Sequence, residues 1–580
     1  MMSKPRVEIH IIPTCKLPRE NYMREEVLPA ILFEPEGYDL SGQKLMGRQA
    51  AGHAFLRGAV NATGRHPLTA YTPHQRSAKA FDAMVKAIKP EAATHWIPAN
   101  RLDLLAQQGH LYLPGPGLAD AARTRLRAGP GAYALCGVTH TTASHGAMDA
   151  IKDMLTQAVM PWDALICTSA SVRSTVDVVL GKELDYLRWR WGRSVTPTLP
   201  LLPVIPLGVH ASDFESTDHD RDNARRAIGL QADEVVALYV GRLSFHAKAH
   251  PHAMYEGLQQ AARQTGRRVV LVQCGWFANE FIENAYKDAA RQVCPDVRTL
   301  FLDGKDAAVR RQCWAAADFF ISLSDNIQET FGLTPIEAMA AGLPVVVTDW
   351  DGYKDTIRDG VDGFRIPTAM PAAGFGDRLA LDHESGQENY DRYCGLACLT
   401  VSVDQRTLVE CLGALITRPE LRRHMGDMGR RQALARFDWA VVFGAYQALW
   451  AEQTSIRLQA RAASPAAATQ VVDAGRLDPF VAFDGYATHR IDGATLVSRL
   501  PGYTDHQLRQ TLGLAMFNYV LNWQTTGPDV ERLWPVVPAR AVALRDLAKT
   551  TNLSLACVVW AVSLLAKIGA VALSHHEATA

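Results

Sequence analysis

Two glutamates, Glu329 and Glu337, stand with seven residues between them in the stretch DNIQETFGLTPIEAMAAGLPVVVTDW. The run reads strand, loop, helix, strand. Thr334, Pro335 and Glu337 spell a helix start: a hydroxyl cap, a proline at the first helical position and a carboxylate that can return a hydrogen bond to the cap. On that reading Glu337 is a capping residue, and Gly342 closes the helix. The same start has chemical use. Free N–H groups at a helix N-terminus, with a glycine before them, hold anions. A sugar diphosphate would fit there, and Glu329 just upstream could accept hydrogen bonds from sugar hydroxyls. A second cluster, LYVGRLSFHAKAHP, places Arg242 and Lys248 on a loop after Gly241, where a strand ends. Two cations at a strand end would neutralise a departing diphosphate, although most basic loop residues simply meet solvent. A third, ALCGVTHTTAS, puts His140 at the end of an apolar strand, with His145 five residues on. A lone histidine is more often structural than catalytic. Asp349-Trp350-Asp351 has the Asp-x-Asp form of a divalent-cation site. Hard cations need more oxygen ligands than this pair offers, so no metal and no other cofactor is expected.

These residues need a scaffold that brings strand ends together. Short apolar runs alternate with helical patterns in two stretches, the pattern of open parallel sheets. In the first half the strand candidates are VEIHIIPT, ATHWIPA, HLYLPGP, AYALCGVTH, DALICTS and LLPVIPL. In the second they are EVVALYVG, RVVLVQCG, RTLFLDG, ADFFISLS and LPVVVTDW. Many end in Gly, Ser, Thr or His, and open α/β sheets bind ligands beyond the carboxyl ends of their strands. The stretch from Ala369 to about Thr400 has no clear period and reads as a loop or lid. A chain of 580 residues exceeds one core.

Together the three clusters resemble the retaining glycosyltransferases of family 4. Glu329 and Glu337 match the Glu-x7-Glu signature, and Phe331-Gly332-Leu333, AAGLPVVVTDWDG, VIPLGVHASDF and MGDMGRRQALARFDW stand in the family's order. The resemblance covers roughly residues 1–455 and is diffuse in the first half. It implies an α/β chain with the GT-B fold, two facing Rossmann-like domains with parallel sheets. It implies an N-terminal, acceptor-side domain over 1–205, a nucleotide-sugar donor domain over 206–438 and a crossover helix over 439–457 that returns to the first. It implies transfer of a sugar from a nucleotide-sugar to an acceptor with retention and without metal. Arg242 and Lys248 would hold the donor diphosphate beside Gly241, and Glu337 the ribose hydroxyls. Glu329 would contact the sugar with the backbone amides of Phe331, Gly332 and Leu333, while His140 would face it across the cleft. Gly47, in KLMGRQAAG, resembles the glycine of the first-domain loop. Three departures stand out: the Arg242–Lys248 spacing is one residue longer than the common form, Leu207 replaces the usual Asn before Gly208, and residues are inserted before Gly47.

Beyond the crossover helix, 458–476 is Ala/Ser/Pro-rich and reads as a linker, and 477–580 as a small, mainly helical accessory domain. Its segment RAVALRDLAKTTNLSLACVVWAVSLLAKIGAVAL runs helix, turn, helix, strand, loosely like a winged helix. That leaves two rivals to transfer: an epimerase or pyridoxal-phosphate phosphorylase on the same fold, and a sugar-sensing regulator with a nucleic-acid module. Lys plus Arg and Asp plus Glu balance at 60 each, and the segment has too few basic residues for a nucleic-acid face. Docking or self-association is the expected role. LACVVWAVSLLA is about a dozen residues, short of a membrane span, so a buried helix is expected. The opening MMSKPRVEIHIIPT lacks a leader's apolar region. Ten scattered cysteines, with Cys394 and Cys398 the only close pair, suit reduced thiols in the cytoplasm. Localisation is expected to be cytoplasmic, or peripheral at the inner face of the membrane. The acceptor, whether sugar, lipid or other, is left open.

Overall fold

The computed structural model describes residues 28–39, 47–64, 66–192, 197–464, 469–518 and 527–574. The expected strand VEIHIIPT lies outside them. The chain divides into two compact units, Met1–Asp473 and Ala474–Ala580.

The first unit holds two parallel sheets. The first sheet comprises β1 (Ala30–Leu32), β2 (Leu68–Thr72), β3 (Thr94–Pro98), β4 (His110–Leu113), β5 (Ala134–Val138) and β6 (Ala164–Ile166), in the order β3-β2-β1-β4-β5-β6. The second comprises β7 (Val235–Leu243), β8 (Val269–Phe277), β9 (Arg298–Asp303), β10 (Phe319–Ser322), β11 (Val345–Thr348) and β12 (Gly363–Ile366), in the order β12-β11-β10-β7-β8-β9. Each is a doubly wound sheet with one reversal of strand order, between β1 and β4 and between β7 and β10. Helices cover both faces, so β4, β5, β6, β10 and β11 are buried at every position and read as unbroken apolar runs. This is the GT-B architecture. Strands β1, β2 and β12 carry no alternation in the sequence and were not anticipated. LLPVIPL forms only isolated bridges beside β6, Ala164 to Leu201 and Cys167 to Val204.

Six helices of this unit position the site: α1 (Gly47–Ala62), α2 (His145–Lys152), α3 (Ala170–Trp191), α4 (Leu333–Ala340), and, in the 369–400 segment, α5 (Asp377–Glu384) and α6 (Tyr390–Cys398). That segment is therefore helical rather than loop, framed by the short pair β13 (Thr368–Ala369) and β14 (Ser402–Val403). Helix α7 (Trp439–Ala463) starts where the chain passes itself, Val209 N–H donating to Phe437 O at 2.8 Å and Trp439 N–H to Val209 O at 3.0 Å. A Cβ at Gly208 would stand 2.7 Å from the Trp439 ring, so only glycine lets the two crossings touch. Trp439, Phe443, Tyr446 and Trp450 then bury against Phe55 and Tyr112 of the first lobe. The helix runs on to Ala463, so the opening residues of the expected linker, 458–463, are helical.

The second unit has an antiparallel sheet, β15 (Leu496–Arg499) between β16 (Val542–Ala543) and β17 (Val571–Ser574), with α8 (Leu544–Thr551) and α9 (Leu555–Lys567) packed beside it. In α9, Val558, Ala561, Val562 and Leu565 are buried within this unit's own core. Among the described residues no single helix is long and apolar enough to cross a membrane, although α8 and α9 pass that test as a pair bent by 114°. Trp534 is in the core, whereas Tyr519 and Trp523 lie outside the described residues.

Candidate functional site

In a doubly wound sheet the two strands at the reversal send their following helices to opposite faces, which opens a crevice beyond their carboxyl ends. In the second sheet those strands are β7 and β10. Arg242 and Lys248 follow from β7, and Glu329 and α4 from β10, so one crevice collects both clusters. Gly241 has φ +147°, and a Cβ at neighbouring Gly275 would fall 2.0 Å from its carbonyl oxygen. The strand ends are pressed together here more closely than any side chain would allow.

The two loops are laced to each other. Asn326 is buried, its Nδ2 donates to His246 O at 2.9 Å, and its Oδ1 accepts from Gln328 N–H at 2.9 Å. Ser324 Oγ donates to Lys248 O at 3.3 Å. Arg242 Nη2 donates to Ala247 O at 3.0 Å and to Gln328 Oε1 at 3.3 Å, which fixes the plane of the guanidinium. Lys248 Nζ and the Glu329 carboxylate form an ion pair at the crevice floor. Burial pushes the Glu329 carboxyl up, but Lys248 and the N–H groups of Thr330 and Phe331 outweigh it and hold the group below its ordinary range. The clusters at 242–248 and 329 thus meet in space. Asn326 and Gln328 were missed; polar residues inside DNIQET carry no local sign that they tie loops together.

Helix α4 starts earlier than TPIEA suggested. Its N-cap is Gly332, at φ +84° and with no side-chain cap bond, and Leu333 is the first helical residue. Thr334 and Pro335 are already inside, so the capping-box reading of Glu337 is wrong. A left-handed glycine makes the turn that a hydroxyl cap would otherwise set. A Cβ at Gly332 would lie 2.0 Å from the Tyr353 ring. Glu337 sits a full turn in, and burial raises its pKa to about 7 against the pull of Arg310 and Lys248. The end of the helix is as expected: Gly342, at φ +76°, donates to Met339 O at 2.9 Å while Leu343 N–H bonds Ala338 O at 2.9 Å.

The first lobe faces this crevice. His140 follows β5, and its carbonyl accepts from Thr330 Oγ1 at 2.8 Å. His145 opens α2 and stacks on His383 of the inserted segment, ring centroids 4.0 Å apart. Asp355 takes the N–H of Ala170, at the start of α3, at 2.6 Å, a carboxylate on a helix N-terminus. Gly47 is the exposed first residue of α1, and a Cβ there would meet nothing within 4 Å.

Asp349 and Asp351 turn to different partners. Asp349 pairs with Arg365 at 3.4 Å. Asp351, at φ +43°, accepts from Ser169 Oγ at 3.4 Å, and burial lifts its pKa to about 8. Among the described residues no group of three or more His, Cys, Asp or Glu side chains is placed to hold a metal ion. The nine described cysteines are all free.

Residues 220–381 match the family Glycosyl transferases group 1. D-inositol 3-phosphate glycosyltransferase of Actinosynnema mirum is 33% identical over 167 residues, 28% of this chain and 39% of the relative. A glycosyltransferase of Methanocaldococcus jannaschii is 26% identical over 170 residues, 29% of this chain and 41% of the relative. The chain thus spans about two fifths of the length of these relatives. Among solved structures, Anabaena Alr3699/HepE in complex with UDP and glucose covers 74% of this chain and 99% of its own, at 15% identity and a TM-score of 0.45. Sucrose-phosphate synthase of Thermosynechococcus elongatus covers 75% and 100%, at 18% identity and a TM-score of 0.43. The crevice at the β7–β10 reversal lies inside the matched segment, and the chain carries, over residues 220–381, a glycosyl transferases group 1 domain.

Proposed function

We propose that the protein is a glycosyltransferase that moves a sugar from a nucleotide-sugar to an acceptor, with retention of anomeric configuration and without a metal ion. One observation carries the reading: Arg242, Lys248, Glu329 and the N-terminus of α4 converge beyond one pair of strands, with the first lobe closing over them. The chemistry asks for stabilisation of charge on a departing nucleoside diphosphate. With its Nη2 held by Ala247 and Gln328, Arg242 presents a fixed guanidinium to the phosphates. Lys248, its charge shared with Glu329, adds further N–H donors, and the first N–H groups of α4 a second positive region. Glu329, kept ionised by Lys248, accepts hydrogen bonds from sugar hydroxyls beside the amides of Phe331, Gly332 and Leu333. Glu337, deeper in α4, takes the ribose. His140 lines the opposite wall. In same-face transfer the bond from the anomeric carbon to the phosphate oxygen breaks, the acceptor oxygen bonds that carbon, and the acceptor's proton passes to the leaving phosphate. Lobe closure excludes water, which would otherwise compete as acceptor.

The test is a thermal-shift screen of the full chain against UDP-, GDP- and ADP-sugars, in excess chelator and again with Mg²⁺ or Mn²⁺. A donor that raises the melting temperature equally in both is the expected result. Binding only when the divalent ion is restored would return Asp349 and Asp351 to consideration. No shift with any donor would sink the reading.

A further inference from the structure

The inserted segment 370–400 is anchored on the second lobe and touches the first. Its anchor is α6. Cys398 Sγ–H donates to the buried Asp325 carboxylate at 3.0 Å. Gly395 lies so close to His246 that a Cβ would stand 2.9 Å from the His246 Cβ. The extra length of the Arg242–Lys248 loop, noted in the sequence, is thus the surface on which α6 rests. From there the segment reaches over in two places. His383 is held by its Nδ1–H on Glu388 O at 2.9 Å and lies between Tyr393, at 4.5 Å, and His145 of the first lobe, at 4.0 Å. Beside this stack, the Tyr390 hydroxyl lies 3.4 Å from Thr141 Oγ1, also of the first lobe.

The bonds around Tyr390 have a direction. Gln328 Nε2 donates to the Tyr390 oxygen at 3.0 Å. The phenol's single proton is then available to Thr141 Oγ1. Because the Gln328 amide presents its nitrogen to Tyr390, its oxygen faces Arg242, which donates to it at 3.3 Å. The chain Arg242 to Gln328 to Tyr390 to Thr141 therefore runs from the cation of the crevice to the wall of the opposite lobe. Burial raises the Tyr390 pKa to about 12, so the proton stays in place at neutral pH.

We propose that segment 370–400 is a cross-cleft latch in which Tyr390 is a positioning residue, tying closure of the first lobe to the orientation of Arg242. This rests on the glycosyltransferase reading for the role of Arg242 alone; the latch itself rests on the contacts. When the lobes part, Thr141 withdraws and the Tyr390 hydroxyl, still beside Gln328, loses the acceptor of its proton; it then turns to donate to the Gln328 amide oxygen, and Arg242 loses sole use of that acceptor. A closed lobe and a correctly aimed guanidinium then come together, which favours diphosphate binding in the closed state.

Tyr390→Phe and Thr141→Val remove the two ends of one bond while keeping shape. The full-length protein, the two variants and the double variant are compared in two ways. Hydrogen exchange reads the latch in segment 144–152, beyond Ala143, whose N–H bonds Thr141 Oγ1 at 3.4 Å: that segment should exchange about three- to tenfold faster in each variant than in the parent, at an unchanged melting temperature. Calorimetric titration with UDP, GDP and ADP reads the coupling: the nucleotide that binds the parent should bind each variant about three- to tenfold more weakly, and the double variant no more weakly than either single one. Thr141→Val is the discriminating arm, because that side chain belongs to the opposite lobe and does not touch Arg242. Unchanged exchange in both variants overturns the latch whatever the nucleotides do. Faster exchange with unchanged affinity overturns the tie to Arg242. If the parent binds none of the three nucleotides, the coupling and the glycosyltransferase reading fail together, while exchange still judges the latch.

Discussion

Lys248 and Glu329 neutralise each other at the floor of the crevice, and the pair is far from symmetrical in what each loss would cost. The Glu329 side chain is 11% exposed and that of Lys248 27%. Removing the cation leaves a carboxylate with little water, the expensive way to break such a pair. Lys248→Met, which keeps the stem, should destabilise the protein by about 2 kcal/mol at pH 8. The Glu329 pKa is depressed in the folded parent, so this stabilisation is present above the unfolded value and fades as pH falls through the folded one. The gap between parent and variant should therefore narrow towards pH 4, which chemical denaturation at both pH values would show; a gap that is the same at both would contradict the pairing. Glu337 behaves in the opposite sense. Its pKa is raised to about 7, so the folded protein binds a proton that the unfolded chain has already lost, and stability falls as pH rises from about 4.5 to 7. Glu337→Gln should leave stability unchanged at pH 4 and add about 1–2 kcal/mol at pH 8, less than full burial would give because the carboxyl keeps some solvent. A loss of stability at pH 8 would return Glu337 to the capping role that the sequence suggested. The residue types of the crevice were legible because Arg242, Lys248, Glu329 and Glu337 stand in the order of the family the sequence resembles. Their ties through Asn326, Gln328 and Tyr390 were not, since those contacts join positions from 62 to 249 apart in the chain.

Helix α4 shows where local sequence rules give way. TPIE satisfies the pattern of a capped start, yet the chain enters the helix through Gly332 because Tyr353 leaves no room for a Cβ there. The Tyr353 ring is fixed in turn, its hydroxyl 3.1 Å from Ser322 Oγ at the end of β10. A long-range contact thus sets a turn that short-range propensity placed two residues later. Gly332→Ala combines a left-handed backbone with a clash and should cost about 3 kcal/mol. Adding Tyr353→Leu should recover part of that loss and leave only the backbone cost; no recovery would mean that the ring is not what excludes a side chain. The helix end, by contrast, was readable, since Gly342 closes it with bonds made inside the helix itself. The same contrast separates the strands. Fully buried runs such as VVALYV and VVLVQC announce themselves, whereas β1, of three residues, and the half-exposed β12 are strands only because neighbours hold them. The 370–400 segment hid its helices for a related reason: α5 has no buried residue, so no apolar period marks it.

At the scale of the whole chain, every crevice residue named above lies in Met1–Asp473, and Ala474–Ala580 has a core of its own. In that core Trp534 donates from Nε1 to Asp505 at 2.7 Å and lies under Arg499, 3.9 Å from ring centroid to guanidinium carbon. Val530, Leu533, Leu544, Val558 and Leu565 are wholly buried around it. A sheet, two helices and a filled interior are what an independently folding domain needs. The point of separation matters. A cut just after α7, at Ser464, would discard residues that the first unit uses: Val471 N–H donates to Leu126 O at 3.0 Å, and Asp473 lies 3.9 Å from Arg123. Both contacts cover the end of the helix Leu118–Arg125 and the short 3-10 turn after it; Arg125 of that helix is buried on Asp163. A cut after Asp473 keeps them. The fragment 1–473 should be soluble and bind the donor within about twofold of the full chain, because it keeps Arg242, Lys248, Glu329 and Glu337. The fragment 1–464 should melt lower by a few degrees, the equivalent of about 1 kcal/mol for one lost hydrogen bond and a weak ion pair. Donor titration and melting of the two fragments beside the full chain decide the matter. If 1–473 folds but fails to bind donor, residues beyond Asp473 complete the site, and the C-terminal unit is part of the catalytic machine instead of a docking or self-association module.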